Sequence, residues 1–272
     1  MQLLNSAEAI HELTRKFEGE RFEDGRPRVS DAILERMKAV TTEEAWGVCR
    51  RNGYNYQFVG NWQNLHPDRV LVGRAVTAMF VPKRPDLDEL VEEWGAATGR
   101  SAAKQNSWVI DTLVEGDVIV VDLFGKIKYG TFAGDNLSTA IHSRTHTGMV
   151  IEGGIRDVQR IYEIPDFGVF VRGVDPTAIA DVTLAEINRP VRVGEATVLP
   201  GDVVLGTREG VIFIPAHLAE LVVERSENIR LRDQFGQLRL REGKYGPADI
   251  DRGDWAPHIE EDFQQWRAAT GK

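Results

Sequence analysis

One cysteine in 272 residues, Cys49, leaves no internal disulfide framework and no thiolate-rich zinc site. Basic residues are also short: 33 Lys and Arg stand against 42 Asp and Glu, a formal charge of -9. A nucleic-acid or anionic-membrane surface needs a concentrated basic face. The densest basic run, Arg225 to Arg241, is broken by Glu227 and Asp233, so neither partner is expected. No apolar run approaches the roughly 18–20 residues of a membrane span. The first residues, MQLLNSAEAIHELTRKFEGE, carry no basic segment ahead of an apolar one, and a cytoplasmic location is the expectation. With 42% hydrophobic and 28% charged residues the chain has the composition of a globular protein, with room for one large domain or two small ones.

What is present is a periodicity that changes along the chain. Leu3, Ala7, Ile10, Leu13 and Phe17 recur at spacings of three and four and predict one face of a helix. EDGRPR follows as a charged linker. Ser30 suits the cap of a second helix with Ile33, Leu34, Met37 and Val40 inward. Thr41 and Glu44 have capping-box spacing, which predicts a third helix ending near Asn52-Gly53. Residues 70–82 alternate as a long strand, with Ala75, Thr77, Met79 and Val81 on one side. Further β-branched runs at 118–121, 148–152, 168–172 and 203–214 are interleaved with helical stretches at 137–146 and 157–163. Pro215 stands where a helix running to about Arg230 would begin. Strand–helix alternation of this kind indicates an α/β fold. Glu115-Gly116-Asp117-Val118 is echoed by Pro200-Gly201-Asp202-Val203, for which a favoured turn used twice is a sufficient explanation. Beyond Asp233 the pattern fades until Ile259, Phe263 and Trp266 suggest a terminal helix, whose aromatics must dock on this subunit or a neighbour.

Chemistry concentrates in residues 116–163. GDVIVVDLFGKIKYG predicts a strand pair, Gly134-Asp135-Asn136 opens one helix, and strand 149–152 runs through Gly153-Gly154 into Ile155-Arg156-Asp157 at the start of another. A helix start offers unpaired N–H groups and partial positive charge to a carboxylate or phosphate. Arg156 adds a planar, permanently charged donor suited to a carboxylate or an enolate oxygen. Asp135 and Asp157 supply the hard oxygen ligands that Mg²⁺ and Mn²⁺ prefer. Spacing alone leaves a plainer reading open, in which the two aspartates are N-caps and Arg156 is a surface residue paired to Glu152 or Glu163.

Asp135, twenty intervening residues and then Arg156-Asp157 resemble the signature of the class II pyruvate aldolases. These are the 4-hydroxy-4-methyl-2-oxoglutarate / 4-carboxy-4-hydroxy-2-oxoadipate aldolases, which share a fold with the RraA regulators of ribonuclease E. The likeness spans about residues 70–225 and includes GDVIVVD, EGGIRD and NRPVRVGEATVLPGDVVLGTREGVIFIP. It implies a swivelling-domain-like α/β/α sandwich of the RraA type, assembled as a homotrimer or a hexamer with sites at subunit interfaces. It implies a helical N-terminal extension at 1–65, a catalytic core at 66–232 and a C-terminal extension at 233–272.

The same resemblance assigns roles. Asp157 would hold a divalent metal, Mg²⁺ foremost and Mn²⁺ as the alternative, and Asp135 would hold its water. Arg156 would contact the keto or enolate oxygen of pyruvate. The backbone from Gly134 through Asp135 and Asn136 to Leu137 would receive the pyruvate carboxylate. The implied activity is release of pyruvate from a 4-hydroxy-2-oxo acid, with oxaloacetate decarboxylation through the same enolate. RraA regulators lack the signature aspartates, so keeping all three residues favours the enzyme, and a non-catalytic RraA-like binding module is the alternative. A methyltransferase would need a glycine-rich loop after its first strand, and the glycines here follow a different plan. The family also draws an acidic residue from a neighbouring subunit, for which Glu44, Glu224 and Glu227 are candidates. Lys126 and Lys128 are expected to be solvated strand charges. His142 and His146 have metal-pair spacing but no third ligand, and Trp62, His66, Trp94 and Trp108 are expected in the core or an interface.

Overall fold

The computed structural model describes residues 3–100 and 104–271. Three short helices come first: α1 (Ala7–Leu13), α2 (Asp31–Met37) and α3 (Thr42–Arg51). Ser30 caps α2, and Thr41 and Glu44 form the expected capping box on α3. The first helix is shorter than its periodicity suggested. Ser6 caps it by accepting from the N–H of Ala9, which leaves Leu3 to Asn5 extended beside Ile187. At its other end the Arg21 guanidinium donates to the carbonyls of Thr14 and Phe17, and Phe17 is drawn off the helix.

Two-residue strands β1 (Phe58–Val59) and β2 (Gln63–Asn64) precede the long β3 (Leu71–Pro82). Then follow α4 (Pro85–Ala97), α5 (Gln105–Ile110), β4 (Asp117–Asp122), α6 (Asp135–Thr145), β5 (Gly148–Ile155), α7 (Val158–Ile161) and β6 (Gly168–Val174). Strand β7 (Val182–Ile187) leads into a hairpin of β8 (Val191–Val193) and β9 (Ala196–Val198), then into a second hairpin of β10 (Val203–Gly206) and β11 (Val211–Ile214). After a 3₁₀ turn at Ala216–Leu218 the chain closes with α8 (Ala219–Arg241), α9 (Pro247–Ile250) and α10 (Pro257–Thr270).

Among the described residues one nine-stranded sheet runs in the order β1-β11-β10-β3-β4-β5-β6-β2, with β7 also on β3. Strands β3, β4, β5 and β6 are mutually parallel, and the others join antiparallel. One face of the parallel strands packs on Val91, Trp108, Ile141 and Ile161 from the four helices α4 to α7. The other face, with Val118, Val120, Val150 and Phe170, packs on the β8–β9 hairpin. Helices α2, α3 and α8 cover β10 and β11. Parallel strands covered on both faces must be apolar throughout. That is why β3 is buried along most of its length, where its alternation alone suggested one inward side. This is a layered α/β fold, as the resemblance implies.

Several local expectations change. The stretch 116–130 holds one strand, not a pair. After Asp122 the chain turns, with Phe124 and Tyr129 at φ 42° and 58°, and Lys126 and Lys128 lie on turns. Arg26, in the supposed linker, is 1% exposed and donates to the wholly buried Asp117 at 2.8 Å. Helix α8 runs unbroken to Arg241 rather than to Arg230, through the expected start of the C-terminal extension at 233. Its second half carries Phe235, on which Ile259, Phe263 and Trp266 of α10 pack as a small cluster of their own. The terminal aromatics dock within this subunit.

Candidate functional site

The loop after β4 and the end of β5 are stitched together by backbone bonds. Gly154 N–H donates to the Gly130 carbonyl, Phe132 N–H to Gly154, and Arg156 N–H to Ala133, at 3.0, 2.9 and 3.1 Å. This pairing extends β5 through Gly153 and Gly154 to Ile155, three residues beyond its expected end. It needs glycine at 154, where a β-carbon would stand 3.0 Å from the Ile127 carbonyl. One step further along the zipper, Gly134 meets Arg156 and Asp157. A β-carbon at 134 would collide with Asp157 Oδ2 and lie 3.0 Å from Arg156 Nε. The structure thus brings together residues more than twenty positions apart because parallel pairing carries the loop alongside the strand.

Gly134 is the N-cap of α6, and no side chain caps that helix. Asp135 is its first residue, and its Oδ1 accepts from the N–H of Asn136 at 2.8 Å. The Asp135 carboxylate also stands 3.8 Å from Arg160 Nε. Asp157 adopts the left-handed conformation, φ 56°, ahead of the single turn of α7, and makes no capping bond. The plain capping reading of both aspartates therefore fails. Arg156 pairs with neither glutamate suggested for it: its Nε lies 3.5 Å from Asp157 Oδ2, while Glu152 is taken by Arg172 at 2.9 Å. Arg156, Asp135 and Asp157 are each partly exposed.

Gly134, Asp135, Asn136, Leu137 and Arg156 line a cleft of about 280 Å³. Its opposite wall comes from residues that the sequence did not single out: Lys104 and Asn106 at α5, Thr131, and Ala178 with Ile179. Asn106 is buried and donates to the Phe132 carbonyl at 2.6 Å, which anchors the loop from the far side. No spacing rule marks these residues, because all but Thr131 arrive from α5 and from the loop between β6 and β7.

Other candidates have structural work. Glu44 is 9% exposed and accepts from Ser226 Oγ at 2.6 Å besides closing its capping box. Glu227 pairs with Arg36 at 2.7 Å, and Glu224 is exposed on α8. The His142 and His146 rings meet edge to face at 5.6 Å. Burial first, and then the neighbouring His146, lower the proton affinity of His142. Among the described residues no three His, Cys, Asp or Glu side chains converge as a metal cage. Trp108 is fully buried and Trp94 packs against it, whereas Trp62 lies under the Arg172 guanidinium at 3.7 Å. His66 is buried and stacks on Tyr162. Cys49 is buried, and burial followed by the Asp202 charge pushes its thiol up to about 12, so it offers no nucleophile.

The chain belongs to the RraA-like family: the Aldolase/RraA family model matches residues 27–213. A protein of Halalkalibacterium halodurans named as a putative 4-hydroxy-4-methyl-2-oxoglutarate aldolase is 30% identical over 142 residues, covering 51% of this chain and 67% of that protein. A Thermus thermophilus protein named 4-hydroxy-4-methyl-2-oxoglutarate aldolase is 28% identical over 100 residues, 37% of this chain and 60% of that one. In fold, the chain is similar to Streptomyces coelicolor RraAS2, described as an unusual member of the RNase ES inhibitor RraA protein family. The TM-score is 0.66 at 22% identity, covering 78% of this chain and 100% of that structure. Among the described residues no helix is long and apolar enough to cross a membrane.

Proposed function

We propose that this protein is a divalent-metal-dependent carbon–carbon lyase that cleaves a 4-hydroxy-2-oxo acid and releases pyruvate, and that also decarboxylates oxaloacetate. The observation that carries this reading is the meeting of Arg156 and Asp157 with the uncapped start of α6 at Gly134, where Gly134 and Arg156 line a cleft. The aldolase names of its relatives support it.

The donor set fits a hydrated ion. Asp157 offers a hard, half-exposed carboxylate beside Arg156, and Asp135 offers another from the first turn of α6. Mg²⁺ characteristically keeps several waters and takes one or two carboxylates, so the lack of a three-residue cage is no obstacle. Asp157 is the direct ligand in this reading, with Mg²⁺ preferred and Mn²⁺ the alternative. When bound, the ion supplies Lewis acidity toward a 2-oxo acid.

The chain's own residues do the rest. Cleavage of the C3–C4 bond leaves its electron pair on C3 as the pyruvate enolate, while C4 becomes a carbonyl and its hydroxyl proton departs. Arg156 donates to the oxygen on which that charge develops, and loss of such a donor costs about 2.7–4 kcal/mol of transition-state stabilisation. N–H groups at the start of α6, from Gly134 to Leu137, receive the substrate carboxylate. Asp135 orients the acceptor of the C4 hydroxyl proton. Protonation of C3 then gives pyruvate.

In this reading the core at 66–232 works as a trimer or hexamer, with the segments at 1–65 and 233–272 as extensions. The exposed apolar side chains of Phe124, Ile127, Tyr129 and Val174, beside the loop that carries the site, support a neighbour there. A cytoplasmic location belongs to the same proposal. The test is pyruvate release from 4-hydroxy-4-methyl-2-oxoglutarate and from oxaloacetate, with Mg²⁺ and with excess EDTA. Metal-dependent release is expected. No release from either substrate would replace the enzyme with an RraA-like binding protein.

A further inference from the structure

A second cleft, of about 280 Å³, shares no residue with the first. It opens where the turn after α1 crosses the start of α8. Leu13 and Phe17 form one wall, and Leu199 and Pro215 form the other. At its base lie two buried polar side chains, Gln57 and Asp202, which are 7% and 4% exposed. Gln57 spends its amide N–H groups on the carbonyls of Thr197 and Phe213 at 3.3 and 2.7 Å. Asp202 accepts from the Leu199 N–H at 2.8 Å and from the Ala216 N–H, and among the described residues it forms no ion pair.

The mouth carries a row of polar groups. Lys16 Nζ donates to the Tyr54 hydroxyl at 3.4 Å, and that hydroxyl is hydrogen-bonded to His217 Nε2 at 3.2 Å. Burial first, and then the Lys16 charge, lower the proton affinity of His217. The rim thus offers the positive charge of Lys16 over an apolar slot, while the Arg15 guanidinium beside it is paired with Glu12 at 2.9 Å.

We infer that this cleft is a second ligand site, for a small monocarboxylate with an apolar body, held between the N-terminal segment and the core. The volume sits at the lower end for small-molecule sites, about 300–1,000 Å³, which suits a single ring bearing one carboxylate. The carboxylate meets Lys16 and the ring lies between Phe17 and Pro215. Neutral amides of the same shape lose the charge-assisted bond. Because one wall comes from residues 13–17 and the other from the core, occupancy ties the two together.

Ligand-observed NMR titration of the whole protein with benzoate and phenylacetate, against benzamide and phenylacetamide, tests this. The acids are expected to bind at least tenfold more tightly than the amides. Lys16→Met should erase that preference, Thr197→Trp at the cleft wall should abolish binding, and Arg156→Ala should leave it unchanged. Absence of binding by the acids would overturn the proposal, as would binding that survives both Lys16→Met and Thr197→Trp. Loss of binding in Arg156→Ala would assign the acids to the first cleft and overturn it equally. Concentration-dependent closure of the cleft by another copy, seen as binding only in dilute protein, would leave the site in place on the free subunit. Circular dichroism and thermal melting of each variant separate lost binding from lost folding.

Discussion

The carboxylate of Asp157 rests against the α-carbon of Gly134, and a β-carbon at 134 would overlap its Oδ2. This contact joins the metal-ligand candidate to the anion-binding start of α6. Position 134 has an ordinary backbone conformation, φ -111°, so the need for glycine there is one of space alone.

Gly134→Ala is therefore expected to fold. The colliding atom ends a movable side chain, so stability should change by no more than about 0.5 kcal/mol. The displaced carboxylate should lower kcat/KM for pyruvate release about 100-fold, a usual cost of a shift near one ångström. Steady-state kinetics beside a denaturant melt checks both halves, and unaltered kinetics would remove Asp157 from the site.

Asp157→Asn separates charge from backbone. Asn tolerates the left-handed conformation that position 157 adopts, so the fold should persist. Metal-dependent activity should disappear. Asp157→Ala should lose activity equally and also cost about 1–2 kcal/mol of stability from the forced positive φ. Equal melts for the Asn and Ala variants would count against the strained backbone.

Arg26 and Asp117 are buried together, 1% and 0% exposed, 2.8 Å apart. Burial opposes the charge of Arg26, and the pull of Asp117 and Asp24 with their hydrogen bonds outweighs it. Arg26→Met leaves Asp117 buried without its cation and should cost about 3–5 kcal/mol by chemical denaturation. Adding Asp117→Leu should recover much of that loss. A single variant as stable as the parent would contradict the pairing.

Asp202 occupies the same Gly–Asp turn as Asp117: each carboxylate accepts from the N–H three residues earlier, at 2.8 and 2.9 Å, after a glycine with φ 87° or 78°. Asp202 lacks an arginine, and burial pushes its carboxyl up to about 7. An unfolded Asp titrates near 3.9, so between about 4 and 7 the folded chain holds the extra proton. Its contribution to stability is full below about 4 and is lost as the pH rises through about 7. Asp202→Asn should flatten that decline, as read from urea melts across the range. Parallel pH profiles for the two proteins would show that Asp202 is ionised throughout.

Phe235 of α8 holds Phe263 at 5.4 Å and Trp266 at 5.8 Å between ring centroids. Phe263→Ala should release α10 from α8 by removing a buried ring, a change worth about 3–5 kcal/mol. Hydrogen exchange should speed up across 257–270 and remain slow in β3 to β6. Faster exchange throughout would mean that the C-terminal cluster is continuous with the main core.

Local signals in the chain determined what depends on neighbours in sequence. Ser30, Thr41 and Glu44 announce their caps, and the β-branched runs at 118–121 and 148–152 announce buried parallel strands. Asp135, Arg156 and Asp157 stand out by their resemblance to a family signature, whereas their spacing alone leaves a capping and surface reading open. Tertiary structure alone decided the rest. Arg26 looks like linker charge until Asp117, ninety-one residues away, supplies its partner. Lys104, Asn106 and Ile179 reach the cleft only because α5 and the β6–β7 loop fold over its mouth. The backbone zipper from Gly130 to Ala133 with Gly154 and Arg156 is set by main-chain atoms that every residue type shares. Hydrogen bonds of that kind leave no side-chain pattern, and long-range pairing leaves none at short range.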